Sequence, residues 1–164
     1  MGHDFSMNKS ELRLTILEVL EQKRQVAHRS AQRAIESATD EETVPEHKYD
    51  TLALEASYLA HGQAMRVQEC EQEVRLIRAL HLPPEPEKVG VGSLLTLVDM
   101  DENHQLFFVA PCAGGLKVRF NDKLVTLVTF ESPLGKALKG KQLGDEVSYQ
   151  VGANAYYYEI ETIA

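Results

Sequence analysis

Four carboxylates stand close together in the first half of the chain, at Asp40, Glu41, Glu42 and Glu46. Carboxylate oxygens together with water are the ligands that Mg²⁺ prefers, and a metal ion held in this way can orient a water molecule for hydrolysis. The same residues also suit a solvated acidic turn, in which Glu46 caps a helix and favours its positive end. The residue types alone leave both interpretations open.

Basic side chains precede these acids, at Lys23, Arg24, Arg29 and Arg33. Arg29 and Arg33 are four residues apart, which places them on one face of a helix, where they can contact phosphate. Lys23 and Arg24 fit the solvated flank of a helix better. A formal net charge of -8 argues against sequence-independent binding to a polyanion, because such binding needs clustered Lys and Arg. Any nucleic-acid contact is therefore expected to be local.

The cysteine and histidine positions argue against structural zinc and against a disulfide framework. Cys70 and Cys112 are far apart, and the six histidines form no pair at metal-ligand intervals. No stretch approaches the roughly 20 apolar residues of a membrane helix, and the N-terminus lacks the apolar core of a signal peptide. We therefore expect a cytoplasmic protein with no cofactor of its own. Residues 1–6 precede a second methionine and are left out of the fold prediction.

The acids lie between two stretches of helical periodicity. Asn8 followed by Glu11 predicts a capping pair at the start of the first helix. Apolar or small residues then recur in steps of three and four, at Leu12, Ile16, Val19, Val26, Ser30 and Ala34. The stripe skips an apolar residue at Lys23 and thins to Ser and Ala. This pattern predicts a coiled coil whose far end is thin and weakly packed.

A second stripe follows the polar run 36–43. Thr43, Pro45 and Glu46 form a helix-start signal, with an N-cap, a first-turn proline and a glutamate at the third helical position. The stripe consists of Leu52, Ala56, Leu59, Gln63, Val67, Cys70, Val74, Ile77 and Leu80. Because few residues separate the helices, we expect them to pair antiparallel in a rod of roughly 45 Å with the acids at its tip. An oligomerisation coiled coil is the alternative.

The second half of the chain is rich in turns and strands. Prolines make residues 82–88 a stiff spacer, and strands are predicted at 93–98, 106–109, 116–120, 124–130, 146–151 and 156–160. Ser132 and Pro133 predict the start of a short helix that runs to Leu138 and closes at Gly140. The predicted fold is α+β: an antiparallel coiled-coil hairpin at 8–81, a linker at 82–88, and a small antiparallel β domain with one short helix at 89–164.

The stretch from Ser132 to Val147 resembles the signature of the GreA/GreB C-terminal domain. It has Ser-Pro, a small-residue helix, Gly-Lys, a two-residue spacer and Gly-Asp-x-Val. The chain is similar to the family over nearly its whole length, because the family places an antiparallel coiled coil before a domain of FKBP-like fold. The segment Ala113 to Thr129 is longer than in typical members, which indicates a Gre-like subfamily.

The resemblance implies a monomeric transcription elongation factor that is not itself an enzyme. In the family, the C-terminal domain binds the rim of the RNA polymerase secondary channel, and the coil enters the channel. Docking then falls to Ser132, Pro133, Leu134, Gly135 and Lys136, unless this helix only covers the sheet. Arg29 and Arg33 are expected to contact the RNA 3′ end. Asp40, Glu41, Glu42 and Glu46 are expected to help hold polymerase-bound Mg²⁺ during cleavage of backtracked RNA.

The tip departs from the family pattern, which pairs an Asp with a Glu three residues later, whereas Thr43 stands at that distance from Asp40. The alternative is therefore a secondary-channel regulator that does not stimulate cleavage. Prolyl isomerase activity is disfavoured, because it needs an aromatic-lined pocket and the chain has no Trp and clusters tyrosines at 156–158. A chaperone or dimeric scaffold that uses the coil alone is a further alternative.

Overall fold

The computed structural model describes the backbone of residues 4–41 and 47–164, and the side chains of residues 8–37, 54, 55 and 57–164. Two long helices precede six strands and a third, short helix. The elements are α1 (Asp4–Glu41), α2 (His47–Arg78), β1 (Leu94–Asp99), β2 (His104–Val109), β3 (Lys117–Phe120), β4 (Lys123–Val128), α3 (Pro133–Leu138), β5 (Glu146–Val151) and β6 (Asn154–Ile163). None of the described helices has the length and apolar character needed to cross a membrane.

The chain forms two compact units, one of residues 1–17 with 76–164 and the other of residues 18–75. The proline-rich segment 82–88 thus lies inside the first unit. The predicted order of helices, sheet and short helix is confirmed. The expected domain boundaries at 81 and 89 stay a prediction.

In the unit of residues 18–75, α1 and α2 bury one stripe each. The buried side chains are Leu20, Ala27, Ala31 and Ala34 on α1, and Cys70 and Val74 on α2. Residues from Val19 to Ser30 and from Gln63 to Glu73 line one cleft of about 550 Å³. The two helices therefore lie side by side. The side-chain oxygen Oε1 of Gln63 is buried in this unit and has no hydrogen-bond partner among the described residues.

The structure corrects three predictions about the helices. Asn8 is not a cap, because α1 begins at Asp4, and the helix runs through the first part of the polar run to Glu41. Val26 and Leu59 were expected in the stripe but are 58% and 56% exposed. Each neighbours an alanine that is buried (Ala27) or half-buried (Ala60). Closely spaced helices favour the smaller side chain at the contact, so the stripe shifts by one residue at these levels.

In the other unit, the start of α1 lies beside the end of α2. The guanidinium nitrogen Nη1 of Arg13 donates to the carbonyl oxygens of Arg78 and Leu80, at 3.0 Å each. Leu12, Ile16 and Ile77 are fully buried here. The helices are therefore antiparallel, as the short connection predicted.

The six strands form one sheet in the order β3-β4-β2-β1-β6-β5. Neighbouring strands are antiparallel with one exception, because β2 and β4 pair parallel. The predicted antiparallel sheet is confirmed, with this parallel pair as its one exception among the described strands. Asn121 and Asp122, both with positive φ, make the tight turn between β3 and β4. That hairpin places β4, not β3, next to β2.

One hydrophobic core, the α3 core, lies between one face of the sheet and α3. Its buried residues are Val89, Leu95, Leu97, Phe107, Val109, Val128, Leu134, Leu138, Val147 and Ile160. Strand residues alternate between faces, so the neighbours of Val147 and Ile160 point away from α3. This alternation separates the surface beside α3 from the opposite surface of the sheet.

Candidate functional site

The segment Ser132–Lys136 begins α3 with a complete set of N-terminal hydrogen bonds. Ser132 is the N-cap, and its Oγ accepts from the backbone N–H of Gly135 at 3.0 Å and donates to the carbonyl oxygen of Thr129 at 2.8 Å. Pro133 occupies the first helical position, where its missing N–H leaves no partner unsatisfied. The predicted helix start is confirmed. Hydrogen bonds of Ser132 to the preceding loop and to the helix therefore fix this turn.

Gly135 lies against the backbone of the preceding loop. A Cβ at this position would stand 1.8 Å from the carbonyl oxygen of Thr129 and 2.6 Å from its carbonyl carbon. The resemblance to the family placed Gly135 among the residues that dock on a partner protein. The close approach found in the structure is made by Thr129 of the same chain, so the absence of a side chain at Gly135 serves packing.

Only part of the predicted docking segment reaches the surface. Leu134 is 8% exposed and packs in the α3 core, so its side chain offers little surface, and its assignment to partner contact stays a prediction. Pro133 and Lys136 are exposed. A partner can therefore reach this segment through the proline ring and the lysine ammonium group.

Two residues that the sequence pattern did not single out complete this surface. Thr129 accepts the cap hydrogen bond and sets the position of Gly135. Phe130 is half-buried, and the Nζ of Lys139 lies 5.7 Å from the centre of its ring, within cation–π distance. Both precede Ser132 by two or three residues, so proximity to the Ser-Pro motif is the signal that could have found them.

The predicted RNA-contacting residues lie on the described part of α1. Arg29 and Arg33 are exposed, in agreement with their placement on one helix face. Arg24 instead pairs with Glu21, with nitrogen–oxygen distances of 2.7 and 2.5 Å, and this hydrogen bond raises the pKa of the guanidinium. Arg29 and Arg33 thus stay the predicted RNA contacts.

The predicted metal-assisting acids lie at and beyond the last described turn of α1. Asp40 and Glu41 belong to the last turn of α1, with side chains outside the described set, and Glu42 and Glu46 lie outside the described residues altogether. Elsewhere in the described ranges, no group of three or more His, Cys, Asp or Glu side chains could hold a metal ion.

Lys9 is a buried cation that ties the helix start to the β domain. Its side chain is 1% exposed, and its Nζ donates to the carbonyl oxygen of Pro83 and, at 3.1 Å, to that of Gly92. Burial lowers its pKa to about 8. Lys9 stands three residues before Leu12 on the buried stripe, so the periodicity of α1 already placed it on that face.

Comparisons with known proteins identify the same family by a match over the C-terminal half of the chain and by longer alignments with individual relatives. The sequence matches the family model described as "Transcription elongation factor, GreA/GreB, C-term" over residues 83–164. GreA of Thermodesulfovibrio yellowstonii is 32% identical over 104 residues, which cover 60% of this chain and 60% of that protein. GreA of Nautilia profundicola is 33% identical over 94 residues, covering 54% and 53%. The alignments thus span less than two thirds of each GreA protein.

Among solved structures, the chain is similar to GreA factor homolog 1 (Gfh1) of Thermus thermophilus. It is 22% identical, with a TM-score of 0.38, and the alignment covers 94% of this chain and 93% of that one. The match to the family model takes in half of the chain and contains the whole Ser-Pro to Gly-Asp signature. The protein therefore belongs to the GreA/GreB family of transcription elongation factors.

Proposed function

We propose that the protein binds RNA polymerase at the rim of its secondary channel, through the surface at the start of α3. The observation that carries this proposal is the capped Ser132–Lys136 turn inside the family match. Buried Leu134 and tightly packed Gly135 fix the turn, while Pro133 and Lys136 face outward. A surface that is already rigid loses little conformational entropy on binding.

Charge reversal at the exposed positions tests this docking surface. The variant Pro133→Glu with Lys136→Glu should bind core RNA polymerase at least about tenfold more weakly, because it loses an apolar contact and a cation and adds two carboxylates. A glutamate in the first turn favours the helix dipole, so the fold should survive, as thermal denaturation can check. Lys141→Glu, at an exposed lysine beyond α3, is the control. Unchanged affinity of the double variant removes the docking assignment.

We further propose that the acids at 40–42 and 46 help the polymerase cleave backtracked RNA by sharing its Mg²⁺. Support comes from their residue type and from the family to which the chain belongs. The test is a stalled, backtracked elongation complex with labelled RNA. The wild type should shorten the transcript, and the variant Asp40→Ala, Glu41→Ala, Glu42→Ala should not, while still binding polymerase. Excess Mg²⁺ should restore part of the activity.

A regulator that occupies the channel without stimulating cleavage is the second candidate. It is favoured by the spacing of the acids, because Thr43 stands where the family pattern has a glutamate. If the wild type gives no cleavage but competes with an active GreA protein for polymerase, this candidate replaces the cleavage proposal. The docking proposal then remains.

A further inference from the structure

A cleft of about 490 Å³ lies between the β1–β2 turn and the β5–β6 hairpin. Val147 and Ile160 point into the α3 core. The residues next to them along the strands, Glu146, Ser148 and Glu159, therefore face the other side of the sheet. The cleft opens on this opposite face, away from the α3 surface proposed for docking. Nothing in the proposed function uses it.

The acidic side chains of this cleft are not explained by the fold. Glu146 and Glu159 are directly opposite each other in the β5–β6 ladder, and like charges in that position destabilise a sheet. The cleft lining, all of it described, contains no Lys, Arg or His to offset them. Asp99 is different, because its Oδ1 accepts the backbone N–H groups of Asp101 and Asn103 at 2.9 Å each and so shapes the turn.

Two large apolar side chains in the same cleft are left open to solvent. Met100 is 80% exposed at the tip of the β1–β2 turn, and Tyr157 is 55% exposed on β6. Tyrosine can receive a cation on its ring face, and methionine adapts its shape to a bound surface. An aromatic ring and an adaptable apolar side chain therefore stand beside two unbalanced carboxylates.

We propose that this cleft binds a basic segment of a partner protein, with an Arg or Lys side chain lying on Tyr157 and its charge between Glu146 and Glu159. Charge complementarity selects this occupant. An acidic segment is repelled. A purely apolar segment leaves the repulsion between the two carboxylates uncompensated. A guanidinium can hydrogen-bond one carboxylate while its plane stacks on the ring, which makes arginine the better fit. The neighbouring Met100 then covers the apolar stem of that side chain.

The experiment titrates the full chain, labelled with ¹⁵N and with ¹³C at the methionine methyl groups, with a blocked hexapeptide that contains two arginines between leucines. Saturable shift changes are expected at the amides of Glu146, Ser148, Tyr157 and Glu159 and at the Met100 methyl group. The same peptide with citrulline in place of arginine keeps the shape and loses the charge, so it should bind at least about tenfold more weakly. Added Mg²⁺ alone should not reproduce the shifts. Reproduction by Mg²⁺, equal binding of the citrulline peptide, or shifts centred elsewhere overturn the proposal.

Matched variants separate the local site from the overall charge of the chain. Glu146→Gln with Glu159→Gln should weaken peptide binding about tenfold and should not lower the melting temperature, because it relieves a like-charge pair. Glu85→Gln with Glu87→Gln removes the same charge at exposed positions far along the chain and should change affinity less than twofold. Tyr157→Phe should bind and Tyr157→Leu should not. Equal effects of the two double variants overturn the site. No polymerase is used, so the outcome is independent of the docking proposal.

Discussion

Gly135 shows at the scale of one residue that a small residue in a family signature can serve packing within its own chain. The Ser-Pro start and the end of α3 were predictable from capping chemistry, because those rules depend only on neighbouring residues. The carbonyl oxygen that fills the space above Gly135 belongs to Thr129, and only the folded loop brings it there. The sequence therefore located the surface but could not say which of its residues face outward.

Substitution of Gly135 should reveal this packing directly. We expect Gly135→Ala to lower the free energy of unfolding by roughly 1–3 kcal/mol or more, because a Cβ 1.8 Å from the oxygen of Thr129 forces the loop away. Thermal and urea denaturation measure the change. Gly90→Ala is the control, since a Cβ there meets nothing within 4 Å. Similar losses for both variants would contradict the role given to the Thr129 contact.

Lys9 predicts a pH dependence of stability with a definite sign. Its pKa in the folded chain is about 8, below the ordinary value of 10.5, because burial disfavours the charged form. Between these values the unfolded chain binds more protons, so the free energy of unfolding should rise with pH. Urea titrations in this range should show the rise in the wild type and a flatter curve in Lys9→Met. Lys88→Met, at an exposed lysine, should keep the wild-type slope.

At the scale of elements, the buried stripe of the hairpin was predictable in its face but not in every position. Steps of three and four residues identified Leu12, Ile16 and Ala34, which are buried. The periodicity did not distinguish Val26 from Ala27, which are adjacent and both apolar. The choice between them depends on the distance between the two helices, which is set by the side chains that pack between them.

Enlarging one small residue of that stripe tests how close the helices are. Ala31→Leu should destabilise the protein by roughly 1–3 kcal/mol, because Ala31 is 6% exposed and the added volume must push the helices apart. Gln32→Leu adds a leucine on the exposed side of the same turn and should stay within about 0.5 kcal/mol of the wild type. Urea denaturation followed by circular dichroism compares them. A neutral Ala31→Leu would mean that this part of the stripe is loosely packed.

The sheet order is the part of the fold that local sequence patterns left undetermined. Alternating apolar residues and turn signals predicted all six strands, with ends within three residues of those in the structure. They do not encode which strand lies next to which, since that depends on contacts between distant segments. The gap between the predicted strands 116–120 and 124–130 indicated the hairpin turn at Asn121-Asp122. It did not indicate the parallel neighbour of β4.

At the scale of the whole molecule, we expect the isolated protein to be a monomer. Along the described parts of α1 and α2, the two stripes bury each other within one chain, so these parts offer no continuous seam to a second copy. Sedimentation equilibrium over a wide concentration range should give the mass of a single chain. A dimer that persists on dilution would contradict this expectation and would favour the scaffold interpretation of the coil.

The pairing of Leu94 with Ala164 has a consequence for how the protein is made. Their backbone groups exchange hydrogen bonds of 2.9 and 2.8 Å, and β1 lies between β2 and β6 in the sheet. During translation, β1 leaves the ribosome well before β6. The edge of β1 that pairs with β6 therefore stays unpaired for a time, whereas α1 and α2 have already emerged. An unpaired strand edge invites incorrect pairing. The nascent chain is therefore most exposed to aggregation after its helices can fold and before the last strand arrives, and a ribosome-associated chaperone would protect it in that interval.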